Sequence, residues 1–254
     1  MLLSSLLMAC FDTTSAPEVA PVAPVAAIAE APIPLRFTMT SLQKASGDCA
    51  AECASFEATW PVFEGGGSDA INAWIVKAIS SAGMTDEPLS PEAAADVFIA
   101  DWVGYRTESA DALGWEMNRT VSVVFESRAL VVVGVGESSY TGGAHGNYGS
   151  TYATFVRQTG EPLSLSDILV DGYEDKLRPH IVVGLEVALE ASLGDADLYH
   201  TAEDVPLAGD WEVNGEALVF HYDPYEIGPY VMGAPSASIP REKIQALIRT
   251  DSLW

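Results

Sequence analysis

Basic residues are scarce in this chain, and their scarcity removes classes of function. Twelve Lys and Arg stand against 36 Asp and Glu, a formal net charge of −24 over 254 residues. Such a chain repels phosphate backbones and anionic lipid headgroups, which argues against nucleic acid and against direct adsorption to a membrane. It suits a cationic partner, although a chain kept soluble or adapted to high salt would carry the same balance. Histidine is sparse too: His145, His180, His200 and His221 are the four, and none sits in a spaced metal motif such as H-E-x-x-H. A nucleophile elbow, a phosphate loop and a dinucleotide fingerprint are all missing. The expectation is a protein with no cofactor and no metal, and not an enzyme. Long apolar runs are lacking as well. The best candidate, residues 181–193, is interrupted by Glu186 and Glu190, so no later segment is expected to span a membrane.

What is present is enough apolar material for a core, 48% of residues, and one glycine-rich stretch around which the chain is organised. It runs Ser138-Ser139-Tyr140-Thr141-Gly142-Gly143-Ala144-His145-Gly146-Asn147-Tyr148-Gly149. The run before it, Ala129 to Val135, is apolar at every position and reads as a strand buried on both faces. The run after it, Ser150 to Arg157, alternates and reads as a half-buried strand. Six glycines fall between Gly134 and Gly149. A tight turn needs one or two, and each glycine costs conformational entropy. The stretch is therefore either an irregular hairpin connection with a hydrogen-bonded histidine or a shaped binding loop.

The first residues carry a different signal. Leu7-Met8-Ala9-Cys10 resembles a lipobox, with Cys10 as the acylated residue and residues 1–9 as signal peptide. No Lys or Arg precedes the apolar run, which departs from an ordinary signal peptide; a start upstream of Met1 would account for it. Residues 10–34 are rich in Ala, Pro and Val, cannot bury a core, and read as a tether. The expected location is the bacterial cell envelope, with the chain held by lipid on the periplasmic or outer face of a membrane. Cys49 and Cys53 then remain as an even pair in Cys-Ala-Ala-Glu-Cys. Without a nearby histidine they make a weak metal site. Outside the cytoplasm a disulfide is favoured over two free thiols, with a modest gain on the order of 2–3 kcal/mol expected from so short a loop.

In order, strands are expected at residues 36–42 and 55–63. A helix capped by Ser68 follows, with Ile71, Trp74, Ile75, Ala78 and Ile79 on one face. Ser90-Pro91 opens a second helix, with Val97, Phe98, Asp101, Trp102 and Tyr105 at helical spacing. Two strands, 114–126 and 129–136, precede the glycine-rich stretch. A long helical pattern covers 173–193, with a possible break at Pro179. A hairpin turning at Asn214-Gly215 and a final helix from Arg241 to Ile248 complete the list. Strands that cluster without strict alternation with helices predict an α+β fold, an antiparallel sheet packed against helices in two small subdomains.

Tyr140-Thr141-Gly142-Gly143-Ala144-His145-Gly146 resembles the signature Y-x-G-G-A-H-G of an extracytoplasmic domain family found in the lysozyme-sensing anti-sigma factor RsiV and in the peptidoglycan deacetylase PdaC. Phe220-His221-Tyr222-Asp223-Pro224-Tyr225-Glu226-Ile227-Gly228-Pro229-Tyr230, with Gly233 after it, is similar to the family's F-x-x-x-P-Y-E-I-x-x-Y-x-x-G run. Leu163 to Leu169 resembles the family's entry into a helix. Trp60-Pro61-Val62-Phe63 with Ile71-Asn72 resembles the companion N-terminal domain. The resemblance spans roughly residues 35–250 and implies a PdaC-like domain at 35–139 and an RsiV-like domain at 140–250. It implies a binding module, since the deacetylase activity of PdaC belongs to a separate catalytic domain. The partner so implied is lysozyme or a related cationic wall hydrolase, and peptidoglycan or another glycan is the alternative. The residues expected to meet it are Tyr140, Gly142, Gly143, His145, Gly146, Tyr222, Tyr225 and Tyr230, with the two loops forming one surface. A hydrolase using His145 is a third reading.

Overall fold

The computed structural model describes residues 34–46, 49, 52–81, 89–109, 111–250 and 252–254. The expectations for the signal peptide, Cys10 and most of the tether lie outside these residues. Five strands form the first sheet in the order β1 (Arg36–Ser46), β2 (Ala54–Glu64), β3 (Trp115–Glu126), β4 (Leu130–Tyr140) and β5 (Asn147–Val156). Two helices, α1 (Ser68–Ser80) and α2 (Pro91–Glu108), lie between β2 and β3 in the chain. A connection that long permits what a hairpin forbids, and β2 pairs with β3 in parallel, while every other pair is antiparallel. The expected α+β class is found, with this one parallel pair as the departure.

The second sheet, β6 (Asp210–Val213), β7 (Ala217–His221) and β8 (Ser236–Pro240), is antiparallel throughout. It is preceded by the short α3 (Leu165–Ile168) and the long α4 (Tyr173–Leu189). The sequence boundary at 139/140 falls at the last residue of β4, which pairs with β5 in one sheet.

β4 explains its own sequence. Val131, Val133 and Val135 enter a core with Phe56, Trp60, Ile71, Ile75, Ile79, Phe98 and Trp102. Leu130 and Val132 enter the other core, with Leu177, Ile181, Leu185, Leu218, Phe220 and Ile239. A strand with a core on each side needs an apolar side chain at every position. Each fully buried Ile, Leu or Phe contributes roughly 1.5–3 kcal/mol relative to exposure.

Several local expectations change. Ser68 does not cap α1; Gly67 does, at φ 74°, and the Ser68 hydroxyl donates to the Gly65 carbonyl at 2.7 Å. Ser90 caps α2 as expected, accepting the Ala93 N–H at 3.2 Å. Pro179 does not break α4, which runs continuously from Tyr173 to Leu189 around it. Burial of Leu177, Ile181 and Leu185 on one face outweighs the single main-chain hydrogen bond that proline removes. The expected final helix is instead two 3-10 turns, Arg241–Lys243 and Gln245–Leu247. Cys49 and Cys53 are joined as a disulfide with Cα atoms 4.9 Å apart.

Candidate functional site

Two loops meet beyond the ends of β4 and β7. In the first, residues 141–146, Gly142 and Gly143 stand at φ 90° and 104°, a region closed to most side chains. The Tyr140 hydroxyl donates to the Gly143 carbonyl at 3.1 Å and closes the bend. The second loop begins with Asp223-Pro224-Tyr225-Glu226, where the Glu226 N–H donates to the Asp223 carbonyl at 3.0 Å. Proline at the second position and a φ of 73° at Tyr225 are the marks of a type II turn, whose third position normally holds glycine. Holding tyrosine there costs about 1–3 kcal/mol, and the Glu226 carboxylate supports the turn by accepting the Asp223 N–H at 3.0 Å.

The loops touch through aromatic rings. His145 stacks on Tyr230 with centroids 4.0 Å apart; Tyr225 and Tyr148 pack on the same Tyr230 ring at 5.6 and 5.8 Å. The Tyr230 hydroxyl donates to the Gly146 carbonyl at 2.8 Å, and the Tyr225 hydroxyl lies 3.4 Å from His145 Nε2. Tyr225 is 52% exposed. A pocket of about 250 Å³ opens beside these rings, lined among others by Glu116, Asn118, Ser138, Asn147, Tyr148 and Tyr230. Of the residues singled out in the sequence, Tyr140, Gly142, Gly143, His145, Gly146, Tyr225 and Tyr230 are thus brought together. Tyr222 is not part of that surface: it is fully buried, and its hydroxyl donates to the Pro206 carbonyl at 2.7 Å. It stands between the half-buried His221 and Asp223 just past the end of β7, so it anchors the loop from beneath. Burial raises its phenol pKa well above the ordinary value.

Beneath the aromatic surface lies a polar seam that the sequence reading missed. The outward N–H groups of edge strand β5 are taken by carboxylates from β6 and from the second loop: Tyr152 by Asp210 at 3.0 Å and Ser150 by Asp223 at 2.9 Å. A side chain at Gly149 would have to displace the Asp223 carboxylate, because a Cβ would lie 2.6 Å from it. His221 stacks on Tyr152 at 4.0 Å, with Nδ1 2.9 Å from Ser236 Oγ and Nε2 3.6 Å from Glu212 Oε1. Burial is the main cause that raises the pKa of Asp210, Glu226 and Tyr152, and neighbouring carboxylates raise all three further. The available signal was the pattern Asp210-x-Glu212 in a strand, acidic at the positions that face inward.

His145 contacts the Gly146 carbonyl, Tyr225 and Tyr230, and among the described residues no carboxylate is hydrogen-bonded to it. Among the described residues no group of three or more His, Cys, Asp or Glu is arranged to hold a metal ion. None of the described helices is long and apolar enough to cross a membrane.

Residues 166–242 match the family model described as Protein of unknown function (DUF3298). The fold resembles the crystal structure of a DUF3298 family member from Bacteroides fragilis, with a TM-score of 0.71 and 20% identity over 85% of this chain and 94% of that one. It also resembles a DUF3298 family protein from Pseudomonas aeruginosa PAO1, with a TM-score of 0.63 and 21% identity over 87% and 96%. The comparison with curated proteins gave no match. The matched segment begins at α3 and ends just after β8, so it contains the second aromatic loop and not the first.

Proposed function

We propose that this chain is an envelope protein whose aromatic surface, built by residues 140–149 and 223–233, binds a cationic wall hydrolase of the lysozyme kind without catalysing a reaction. The carrying observation is Tyr225, an exposed aromatic held at positive φ on a cluster of three further rings. Strain kept at an exposed side chain points to use of that side chain. Tyrosine offers rigid contact area at low entropic cost, and a chain of charge −24 steers a cationic partner toward it. Lipid attachment at Cys10, after removal of residues 1–9, would hold the module at the membrane; Cys10→Ser should then move the protein to the soluble fraction.

A second reading, a peptidoglycan or glycan ligand, draws support from the pocket beside the rings. Asn118, Ser138 and Asn147 there are hydrogen-bonding groups suited to sugar hydroxyls, next to rings on which a sugar face can stack. Calorimetric titration separates the two. With lysozyme, binding should weaken as salt rises, and Tyr225→Ala should lose roughly 1–4 kcal/mol. No binding by folded wild type at low salt, together with binding of soluble peptidoglycan fragments, would replace the first reading with the second.

A further inference from the structure

A separate groove runs between α4 and the edge strand β8, lined by none of the residues of the aromatic surface. It holds about 540 Å³ and is lined by Val183, Val187 and Ala188 on the helix and by Ser236, Ser238 and Pro240 on the strand. The helix side is an apolar stripe at i, i+4, i+5, left open to solvent: Val183 is 59% and Val187 74% exposed. The strand side is an open main-chain edge. Tyr222 N–H donates to the Pro235 carbonyl and Arg241 N–H to the Glu216 carbonyl. With the β7–β8 register between these bonds, Ala237 and Ile239 are the residues whose main chain faces β7. The N–H and C=O groups of Ser236 and Ser238 therefore point away from the sheet. Among the described residues these two N–H groups have no hydrogen-bond partner. At the lining's edge, Lys243 brings a cation that forms no ion pair among the described residues, in a chain whose surface is otherwise strongly acidic.

We infer that this groove accepts an extended peptide that adds to β8 as a further strand and ends in a carboxylate facing Lys243. Three independent features call for that occupant. Unpaired strand N–H and C=O groups are satisfied in register only by another extended main chain. The stripe on α4 takes the apolar side chains that alternate toward it. Lys243, the one Lys or Arg among the groove's described lining residues, selects an acidic end, because a chain so acidic overall repels one elsewhere. An acyl chain would fill the apolar side and leave the strand edge unpaired.

The test uses a fluorescein-labelled hexapeptide of alternating valine and threonine with a free C-terminal carboxylate, followed by fluorescence anisotropy on the intact protein. Wild type should bind it saturably. Val187→Glu, at a side chain already in solvent, should weaken binding at least about tenfold. Lys243→Glu and the C-terminal amide of the peptide should each weaken it several-fold, and the two together no further. N-methylation of alternate peptide nitrogens, in either of the two registers, should abolish binding in one register and spare the other. Absence of saturable binding overturns the inference. So does equal binding of both N-methylated peptides, or full displacement by dodecanoate with no effect of N-methylation, which would make the groove an acyl-chain site. Tyr225→Ala should leave this binding unchanged, so its outcome is separable from that of the aromatic surface.

Discussion

The two cores that share β4 solve the burial of polar groups differently. In the core packed by α1 and α2, Arg119 is 4% exposed and inserted among aromatic and aliphatic side chains. Each of its three nitrogens donates: Nε to Glu137 at 2.6 Å, one terminal nitrogen to the Ile79 carbonyl at 2.6 Å and the other to the Ser81 carbonyl at 2.7 Å. It ties the end of α1 to β3 and β4. In the core packed by α4, polar groups are instead gathered into a seam along β5, where Glu212 Oε2 and His221 Nε2 have no hydrogen-bond partner among the described residues; on the α1–α2 side the atoms left unpartnered, Ser80 Oγ and Trp115 Nε1, lie outside the Arg119 network. A completed network fixes a structure, whereas a partly satisfied one is expensive and tends to mark positions kept for another reason. The aromatic surface stands on the second kind.

The sharpest way to break this comparison is Arg119→Ala. It leaves two helix-end carbonyls and a carboxylate without their donor, and should cost roughly 3 kcal/mol in urea denaturation. A loss below that of an ordinary surface substitution would mean the first core does not depend on its buried cation. Tyr222→Phe removes only the hydroxyl bond to Pro206, so about 1 kcal/mol is expected. The loop it anchors should also loosen, read as faster amide exchange at residues 223–230 with little change in α1.

The smallest effect sharpens the contrast through pH. Burial raises the pKa of Asp210 in the folded state, as it does for Glu226. A carboxyl raised on folding contributes stability that is complete below its unfolded pKa and lost as pH rises through the folded one. The midpoint of thermal unfolding should therefore rise as pH is lowered through the raised folded-state pKa of these carboxyls toward the ordinary carboxylate range. Asp210→Asn can still accept the Tyr152 N–H, and should flatten that rise without lowering stability at pH 7. An unchanged slope would show that Asp210 does not carry it.

Residues near in sequence fixed much of this protein. The apolar run at 129–135 announced a strand covered on both sides, Ser90-Pro91 announced the start of α2, and the glycines of 142–143 announced a bend that only positive φ allows. The fold class followed from the spacing of strands and helices, and the two aromatic loops could be named. Three features needed the tertiary structure. The parallel pairing of β2 with β3 depends on where two helices carry the chain. Tyr222 reads in sequence like its neighbours Tyr225 and Tyr230, yet it is fully buried just past the end of β7, where its hydroxyl reaches the Pro206 carbonyl. The carboxylates of Asp210 and Asp223 meet β5 from 58 and 73 residues away. Hydrophobic period and turn chemistry are local and can be read along a chain; which strand edge a distant carboxylate reaches is set only when two sheets pack.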